Sequence, residues 1–210
     1  MKAPVQEKAQ RVLAPQGTHV ARIVRLIDIG TIPTEWQGEA RMTHKIWLDF
    51  ELVDETYKFK DGEDEKPFVL GRKYTFSMSE KASLRKIIEG IIGASLLEQE
   101  AVAFDVEQIV GKACLVNIKH NQVGDKTYAN IETAAPLMKG QKAKEAFNPI
   151  VTLTYENWDE DTFTSLPDFI KEMIESSKEY KRMKSPVPLN KNATPLEYPK
   201  DEINPEDIPF

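Results

Sequence analysis

Residues 43–53, THKIWLDFELV, contain the most regular pattern in the chain. Successive side chains of a β-strand point to opposite faces, and on that basis this segment divides into an apolar and a polar set. The first set is His44, Ile46, Leu48, Phe50 and Leu52, and the second is Thr43, Lys45, Trp47, Asp49 and Glu51. Such alternation is typical of a strand with one face in the core and the other in water.

Trp47 is the exception on the polar face, because a large aromatic ring is costly to leave in water. It lies two residues from Lys45, so the two side chains point the same way. An aromatic ring beside an ammonium group can stack a base and bind a neighbouring phosphate, and each stacked base contributes about 1–3 kcal/mol. The alternative is that Trp47 packs beneath a later helix.

Residues 67–79 predict another strand of the same kind, with Lys73 and Thr75 on its polar face. If the two strands pair, Lys73 and Thr75 lie beside Lys45 and Trp47. The sequence therefore predicts a surface that combines cations with an aromatic ring.

Three more segments have strand character. Residues 17–30 carry apolar side chains on both faces, which is typical of a strand that bends between two layers, often through a bulge. Residues 112–120 and 126–134 alternate around a turn at Gly124. The candidate nucleic-acid contacts in these strands are Arg22, Arg25, Lys119, Lys126 and Tyr128. For the two arginines, solvation or pairing with a neighbouring strand is the alternative.

The segment 31–41 predicts a turn-rich loop, since it contains Pro33 and Gly38. A tryptophan in such a loop either folds back on the core or contacts a ligand. Trp36 and Arg41 are therefore further candidates for contact with nucleic acid.

Residues 79–92 predict a helix, because apolar residues recur at helical spacing between an N-cap at Ser79 and a stop at Gly93. The predicted order is three strands, a helix and two strands in a mainly β chain. That order is the OB-fold arrangement, a five-stranded, partly open barrel with a helix between strands three and four. OB-folds bind oligonucleotides on the face of strands two and three.

A C-terminal helix is predicted over residues 166–180, with Ser165 as its cap and Pro167 in its first turn. Its apolar side chains form one stripe, which comprises Leu166, Phe169, Ile170, Met173, Ile174 and Tyr180. It docks either on its own barrel or across a homodimer. Beyond residue 185, six prolines and few aliphatic residues predict a flexible tail. The predicted organisation is an arm at 1–16, a DNA-binding OB domain at 17–138, a linker and helix at 139–184, and an acidic tail at 185–210.

The last six residues, PEDIPF, place two carboxylates ahead of an apolar end. Two prolines and the charges keep such a stretch from folding alone. A partner with an apolar pocket and a basic rim could bind it. The predicted protein-interaction tip comprises Glu206, Asp207, Ile208, Pro209 and Phe210. The alternative is a solvated chain end.

The net charge of −6 is confined to the C-terminal third of the 210 residues. Residues 1–145 carry 21 Lys and Arg against 21 Asp and Glu, whereas residues 146–210 carry 7 against 13. A neutral body can still present a basic groove if its charges are segregated.

The composition favours a soluble, cytoplasmic protein, with 40% hydrophobic and 30% charged residues and no predicted membrane span or signal peptide. Cys114 is the only cysteine, which predicts a reducing compartment without a disulfide or thiolate metal site. His19, His44 and His120 fall in separate strands. No metal or cofactor is predicted, and a metal-dependent nuclease is disfavoured because no nucleophile motif or phosphate-binding glycine loop occurs.

Residues 17–138 resemble the OB-fold single-stranded-DNA-binding proteins encoded by tailed bacteriophages. The stretches that carry the resemblance are Gly17-Thr18-His19, His44-Lys45, Arg72-Lys73-Tyr74-Thr75, Glu80-Lys81 with Leu84-Arg85-Lys86, Gly111-Lys112, and Lys126-Thr127-Tyr128-Ala129-Asn130. The tip resembles the acidic C-terminal end of bacterial and phage proteins of this class, although Pro205 stands where a third acidic residue is common.

The resemblance implies a non-enzymatic protein that coats and protects single-stranded DNA with little sequence specificity. It implies a role in phage DNA replication or recombination in the host cytoplasm, with replication or recombination proteins recruited through the tip. The alternative is an OB-fold adaptor that binds proteins rather than DNA.

Overall fold

The computed structural model describes residues 12–60 and 62–185, except for the side chain of Trp36. It is mainly β, as predicted, with a six-stranded sheet in the order β3-β2-β1-β4-β5. Neighbours on this path are antiparallel, and β6 pairs with β1 in parallel. The strands are β1 Gly17–Trp36, β2 Glu39–Tyr57, β3 Lys66–Thr75, β4 Ala113–Val123, β5 Lys126–Ala135 and β6 Val151–Leu153. The sixth strand was not predicted.

The sheet is not closed, because β3 and β5 at the two ends of the path do not pair with each other. The two strands run in the same direction, since each is separated from β1 by one intervening antiparallel strand. Across the gap, the guanidinium of Arg72 donates a hydrogen bond to the carbonyl oxygen of Ile131.

The predicted loop at 31–41 is wrong, because β1 and β2 continue through it as a hairpin. The turn consists of Gln37 and Gly38, with φ of 51° and 81°. Positive φ at both turn positions matches the right-handed twist of the flanking strands. The predicted bend in β1 is confirmed by register shifts at Ile23/Arg25 and Asp28/Gly30.

Helix α1, Ser83–Ile92, begins three residues later than predicted, since its N-cap is Ala82 rather than Ser79. Ser79 does not cap it, because residues 79–82 form a turn in which the amide of Ala82 donates to the carbonyl of Ser79. Gly93 ends the helix as predicted, with φ of 72°. A short helix α2, Glu98–Val102, and a 3₁₀ helix, Val106–Ile109, lead into β4.

The segment predicted as one helix at 166–180 contains two, α4 Asp168–Ser176 and the start of α5 Lys178–Lys184, and an unpredicted helix, α3 Glu160–Ser165, precedes it. Pro167 precedes α4 and cannot donate the backbone bond that a continuous helix would need. Ser177 separates α4 from α5, and its hydroxyl accepts from the amide of Tyr180 to cap α5. The apolar stripe assigned to one helix is therefore distributed over several short ones.

Each face of the sheet packs on a core. The first core lies between the inner face and α1, and it includes Ile23, Leu26, Ile46, Leu48, Phe50, Tyr74, Leu84, Ile88, Val116 and Ile118. The second lies beneath the C-terminal segment and comprises Ile27, Leu153, Phe163, Leu166, Ile170 and Ile174. The C-terminal helices thus dock on their own sheet, which was one of the two predicted arrangements. Cys114 is fully buried in the first core, and burial raises the pKa of its thiol to about 12.

Within the described residues, no helix combines the length and hydrophobicity that crossing a bilayer requires. The first eleven residues and the predicted tail from residue 186 lie outside the described part of the chain, and so does the tip from Glu206 to Phe210.

Candidate nucleic-acid interface

The outer face of β1, β2 and β3 carries most of the predicted contacts. Pairing of β2 with β3 sets Lys45 opposite Thr75 and Trp47 opposite Lys73, as the strand patterns predicted. On the other side of β2, Ile27 of β1 lies opposite Trp47. The alternating residues of two strands that are distant in sequence therefore meet on one surface.

Part of this face is buried, contrary to the prediction that it is in water. Asp49 is 6% exposed and forms an ion pair with Arg25 at 3.0 Å. Burial raises the pKa of Asp49, while the hydrogen bond from Trp47 and the charge of Arg25 oppose that rise. The polar character of Asp49 predicted that it is exposed to solvent. It is buried instead, because its charge is compensated by a residue 24 positions earlier in the chain.

Glu51 is fully buried because the C-terminal segment supplies its hydrogen-bond donors. Its carboxylate accepts from the backbone N–H of Phe147 at 2.6 Å and of Asn148 at 2.9 Å. The side-chain amide of Asn148 donates a third bond of 2.6 Å. Three N–H donors replace water around this carboxylate, and they fasten the chain after β5 to the outer face of β2.

Trp47 does not stand free on an open surface, which corrects the expectation that a base can stack directly on it. The ring is half-buried and lies across Gly71, and its N–H donates to Asp49 at 2.6 Å. Phe169 of α4 contacts it in an edge-on arrangement, with ring centroids 5.3 Å apart and an interplanar angle of 64°. The predicted alternative, packing beneath the C-terminal helices, is the observed one.

Lys45 and Lys73 lie on the same face and have no acidic partner within the described part of the chain. The ammonium group of Lys45 donates to the hydroxyl of Thr75 at 2.6 Å, and that of Lys73 lies 3.7 Å from the sulfur of Met173. Neither forms an ion pair with a carboxylate of the described residues. Burial and the charge of Lys73 both lower the pKa of Lys45. We call this surface the Lys45–Lys73 patch; it comprises Lys45, Trp47, Lys73, Thr75 and Phe169.

Four of the other predicted cations are engaged within the protein. Arg22 donates to the carbonyl oxygens of Gly111 and Lys144, at 2.8 and 2.9 Å. Arg25 pairs with Asp49, Arg41 with Glu39 at 2.9 Å, and Lys119 with Glu132 at 2.7 Å. These groups hold local structure, and the structure does not bring them into the patch.

Lys126 and Tyr128 lie near the turn of the β4–β5 hairpin, and both are exposed. Tyr128 is 41% exposed. They lie on β5, whereas the Lys45–Lys73 patch is built from β2, β3 and α4. The side chain of Trp36 lies outside the described structure, so its predicted contact stays a prediction.

Sequence reasoning placed Phe169 in an apolar stripe and missed its exposure, which is 51%. Ile170 and Ile174, one turn apart, form the buried centre of α4, and Phe169 lies at its flank. The exposure of Phe169 could therefore have been predicted from the exact positions of the apolar residues around the helix axis. A second unpredicted feature is the aromatic cluster of Tyr57, Phe59 and Phe68 at the β2–β3 hairpin.

An acidic cavity of about 220 Å³ lies apart from the patch. Apolar side chains and four carboxylates line it, including those of Asp28 and Glu107. The carboxylate of Asp28 is 2.6 Å from the ring of His44, and this hydrogen bond raises the pKa of His44. The negative lining disfavours phosphate. Within residues 12–60 and 62–185, no three histidine, cysteine or acidic side chains are arranged to hold a metal ion.

Comparison with known proteins does not assign the chain to a family: no protein-family model and no curated protein matches it.

Proposed function

We propose that this protein binds single-stranded DNA with little sequence specificity, and that the Lys45–Lys73 patch is part of its binding surface. Single strands are held by positive groups that track the phosphates and by aromatic rings that stack the bases. The patch offers both kinds of group at one place.

The observation that carries this proposal is a pair of ammonium groups that form no ion pair with a carboxylate in residues 12–60 and 62–185. Burial and the nearby charge of Lys73 both lower the pKa of Lys45. A phosphate between or beside them would remove the repulsion and release bound counterions. Two neighbouring ammonium groups that repel each other beside the exposed Phe169 do not favour folding. The binding of an anionic ligand therefore explains their position better than a contribution to folding stability does.

The element order adds support from the fold. Helix α1 joins β3 to β4, and the five-strand path has β3 and β5 at its ends. We propose that this is a partly open OB-fold barrel whose gap is bridged by Arg72. Oligonucleotides bind OB-folds on the β2–β3 face, which is the face that carries the patch.

The wider role follows the resemblance to tailed-phage single-stranded-DNA-binding proteins. In this proposal the protein is not an enzyme: it coats and protects single strands in phage DNA replication or recombination, in the host cytoplasm. Glu206, Asp207 and the Ile208-Pro209-Phe210 end recruit replication or recombination proteins. Lys126 and Tyr128 on the second hairpin extend the DNA path, and a homodimer would combine two such paths.

Titration of the full-length chain with oligo-dT at several salt concentrations tests the proposal. We expect the logarithm of the affinity to fall linearly with the logarithm of the salt concentration, with a slope of about 0.7 per neutralised phosphate. Single-stranded oligonucleotides of mixed sequence should bind with the same affinity as oligo-dT, whereas duplex DNA should bind less tightly. Absence of oligonucleotide binding at low salt would contradict the proposal.

The acidic cavity favours a second function, as an adaptor for a basic protein segment. Its apolar floor suits the stem of a lysine or arginine, and its carboxylates suit the charged head. Exposed Phe76 is part of the lining. If a Glu107→Lys variant abolished capture of host proteins and left oligonucleotide binding unchanged, the cavity would serve protein partners; if neither changed, the adaptor function would lose its support.

A further inference from the structure

Phe169 is half exposed although it belongs to a docked helix. Its neighbours Ile170 and Ile174 are 1% and 0% exposed in the second core, whereas Phe169 is 51% exposed. The ring meets Trp47 edge-on at 5.3 Å. This contact fixes the position of the ring, and the exposure leaves part of its surface available to another molecule.

Cations lie beside this aromatic pair. Met173, one helical turn after Phe169, approaches the ammonium group of Lys73 at 3.7 Å. Residues four apart lie on the same face of a helix, so Phe169 and Met173 both border the sheet. Lys73 in turn stands opposite Trp47 in the β2–β3 register. The exposed ring and uncompensated charge therefore belong to one surface made by β2, β3 and α4.

Two other exposed phenylalanines lack this combination. Phe76 is 48% exposed, but it lines the acidic cavity, where phosphate is repelled. Phe59 packs edge-on against Tyr57 and Phe68 in its own cluster. Of the lysines at that hairpin, Lys60 and Lys66 already pair with Glu63.

We propose that Phe169 stacks a base of single-stranded nucleic acid while Lys45 and Lys73 bind the adjoining phosphates. The inference rests on the proposed function and adds that the C-terminal helices are part of the binding site rather than only its cover. Trp47 is then a positioning residue: its edge holds the Phe169 ring, and its N–H is fixed by Asp49. A base can stack on any aromatic face, so this contact adds affinity with little sequence preference.

Two substitutions in the full-length chain test the stacking. Phe169→Leu keeps an apolar side chain against Trp47 but removes the π face, so oligo-dT affinity should fall about 5- to 150-fold with an unchanged salt slope. Phe169→Trp restores a face, so its affinity should stay near wild type. Phe147→Leu is the matched control, because Phe147 is 63% exposed and lies outside α4; its affinity should not change.

The possible results separate this inference from the proposed function. If wild type binds and Lys73→Gln weakens binding while Phe169→Leu binds like wild type, the stacking role is overturned and the DNA-binding function stands. If wild type does not bind oligo-dT, both fall. Should Phe169→Leu lose its fold by circular dichroism, mapping of ultraviolet cross-links on wild type decides: cross-links at the peptide that contains Phe169 support the inference, and cross-links only elsewhere contradict it.

Discussion

The indole ring of Trp47 lies across the backbone of Gly71, so closely that a β-carbon at residue 71 would overlap the indole atoms Cζ2 and Cε2. The two residues are diagonal neighbours on paired strands, since Trp47 stands opposite Lys73 and Asp49 opposite Gly71. A bare glycine on β3 is therefore what allows the ring to lie against the sheet with its edge toward Phe169.

Gly71→Ala should displace the indole and lower the free energy of unfolding by about 1–3 kcal/mol, the usual cost of overpacking. Urea unfolding followed by tryptophan emission measures both effects. The comparison that isolates the cause is a double-mutant cycle with Trp47→Leu, in which the part of the cost that comes from the indole should disappear while the close contact with Asp49 Oδ1 remains. An equal cost in both backgrounds would show that the clash with Trp47 is not its source.

Lys45→Gln and Lys73→Gln should each weaken oligo-dT binding and reduce the slope of log affinity against log salt by about 0.7–1, because each removes one phosphate contact. Fluorescence titration at several salt concentrations measures the slope. Lys86→Gln is the matched control, since Lys86 is an exposed lysine on α1 and lies away from the outer face. A slope change in the control equal to that of the patch variants would remove the patch from the binding surface.

His44 should make folding stability depend on pH above its ordinary pKa. The hydrogen bond that His44 donates to Asp28 raises the pKa of His44 above 6.5, the charges of Asp28 and Glu179 also raise it, and burial opposes them. A raised histidine pKa contributes stability that is fully present below pH 6.5 and is lost as the pH rises through the folded-state pKa.

Urea unfolding of wild type at about pH 6 and about pH 8.5 should therefore give a lower free energy at the higher pH, and His44→Gln should reduce that difference. Imidazole titration by nuclear magnetic resonance locates the folded-state pKa directly. A folded-state pKa below 6.5, or an unchanged difference in the variant, would contradict this assignment.

Glu51→Gln should destabilise the protein by about 1–3 kcal/mol, because the new amide places an N–H group among three N–H donors and leaves buried polar groups unsatisfied. Hydrogen exchange should accelerate first at the amides of Phe147 and Asn148, which donate to this carboxylate. Glu35→Gln, an exposed position on β1, serves as the control and should change neither quantity. Unaltered exchange at Phe147 would mean that Glu51 does not hold that segment.

Much of the sheet was predictable because strand alternation is a local property. Ile46, Leu48 and Phe50 are buried as their spacing predicts, and the bend in β1 follows from apolar residues on both of its faces. That Lys73 and Thr75 share a face with Lys45 and Trp47 also follows from strand alternation once the strands pair, whereas the exact register comes from the structure. Helix ends were less predictable, since Ser79 and Ser165 have the right chemistry for caps but lie in other local structures.

The sequence alone determined which residues share a strand face, which cations and rings are two positions apart, and where the negative charge accumulates. Only the tertiary structure decided what covers each face. Asp49 and Glu51 are buried because Arg25, Phe147 and Asn148 satisfy them, and Trp47 is half-covered because α4 brings Phe169 against it. The physical reason is that alternation records the direction of a side chain, whereas its solvation depends on partners that come from distant parts of the chain.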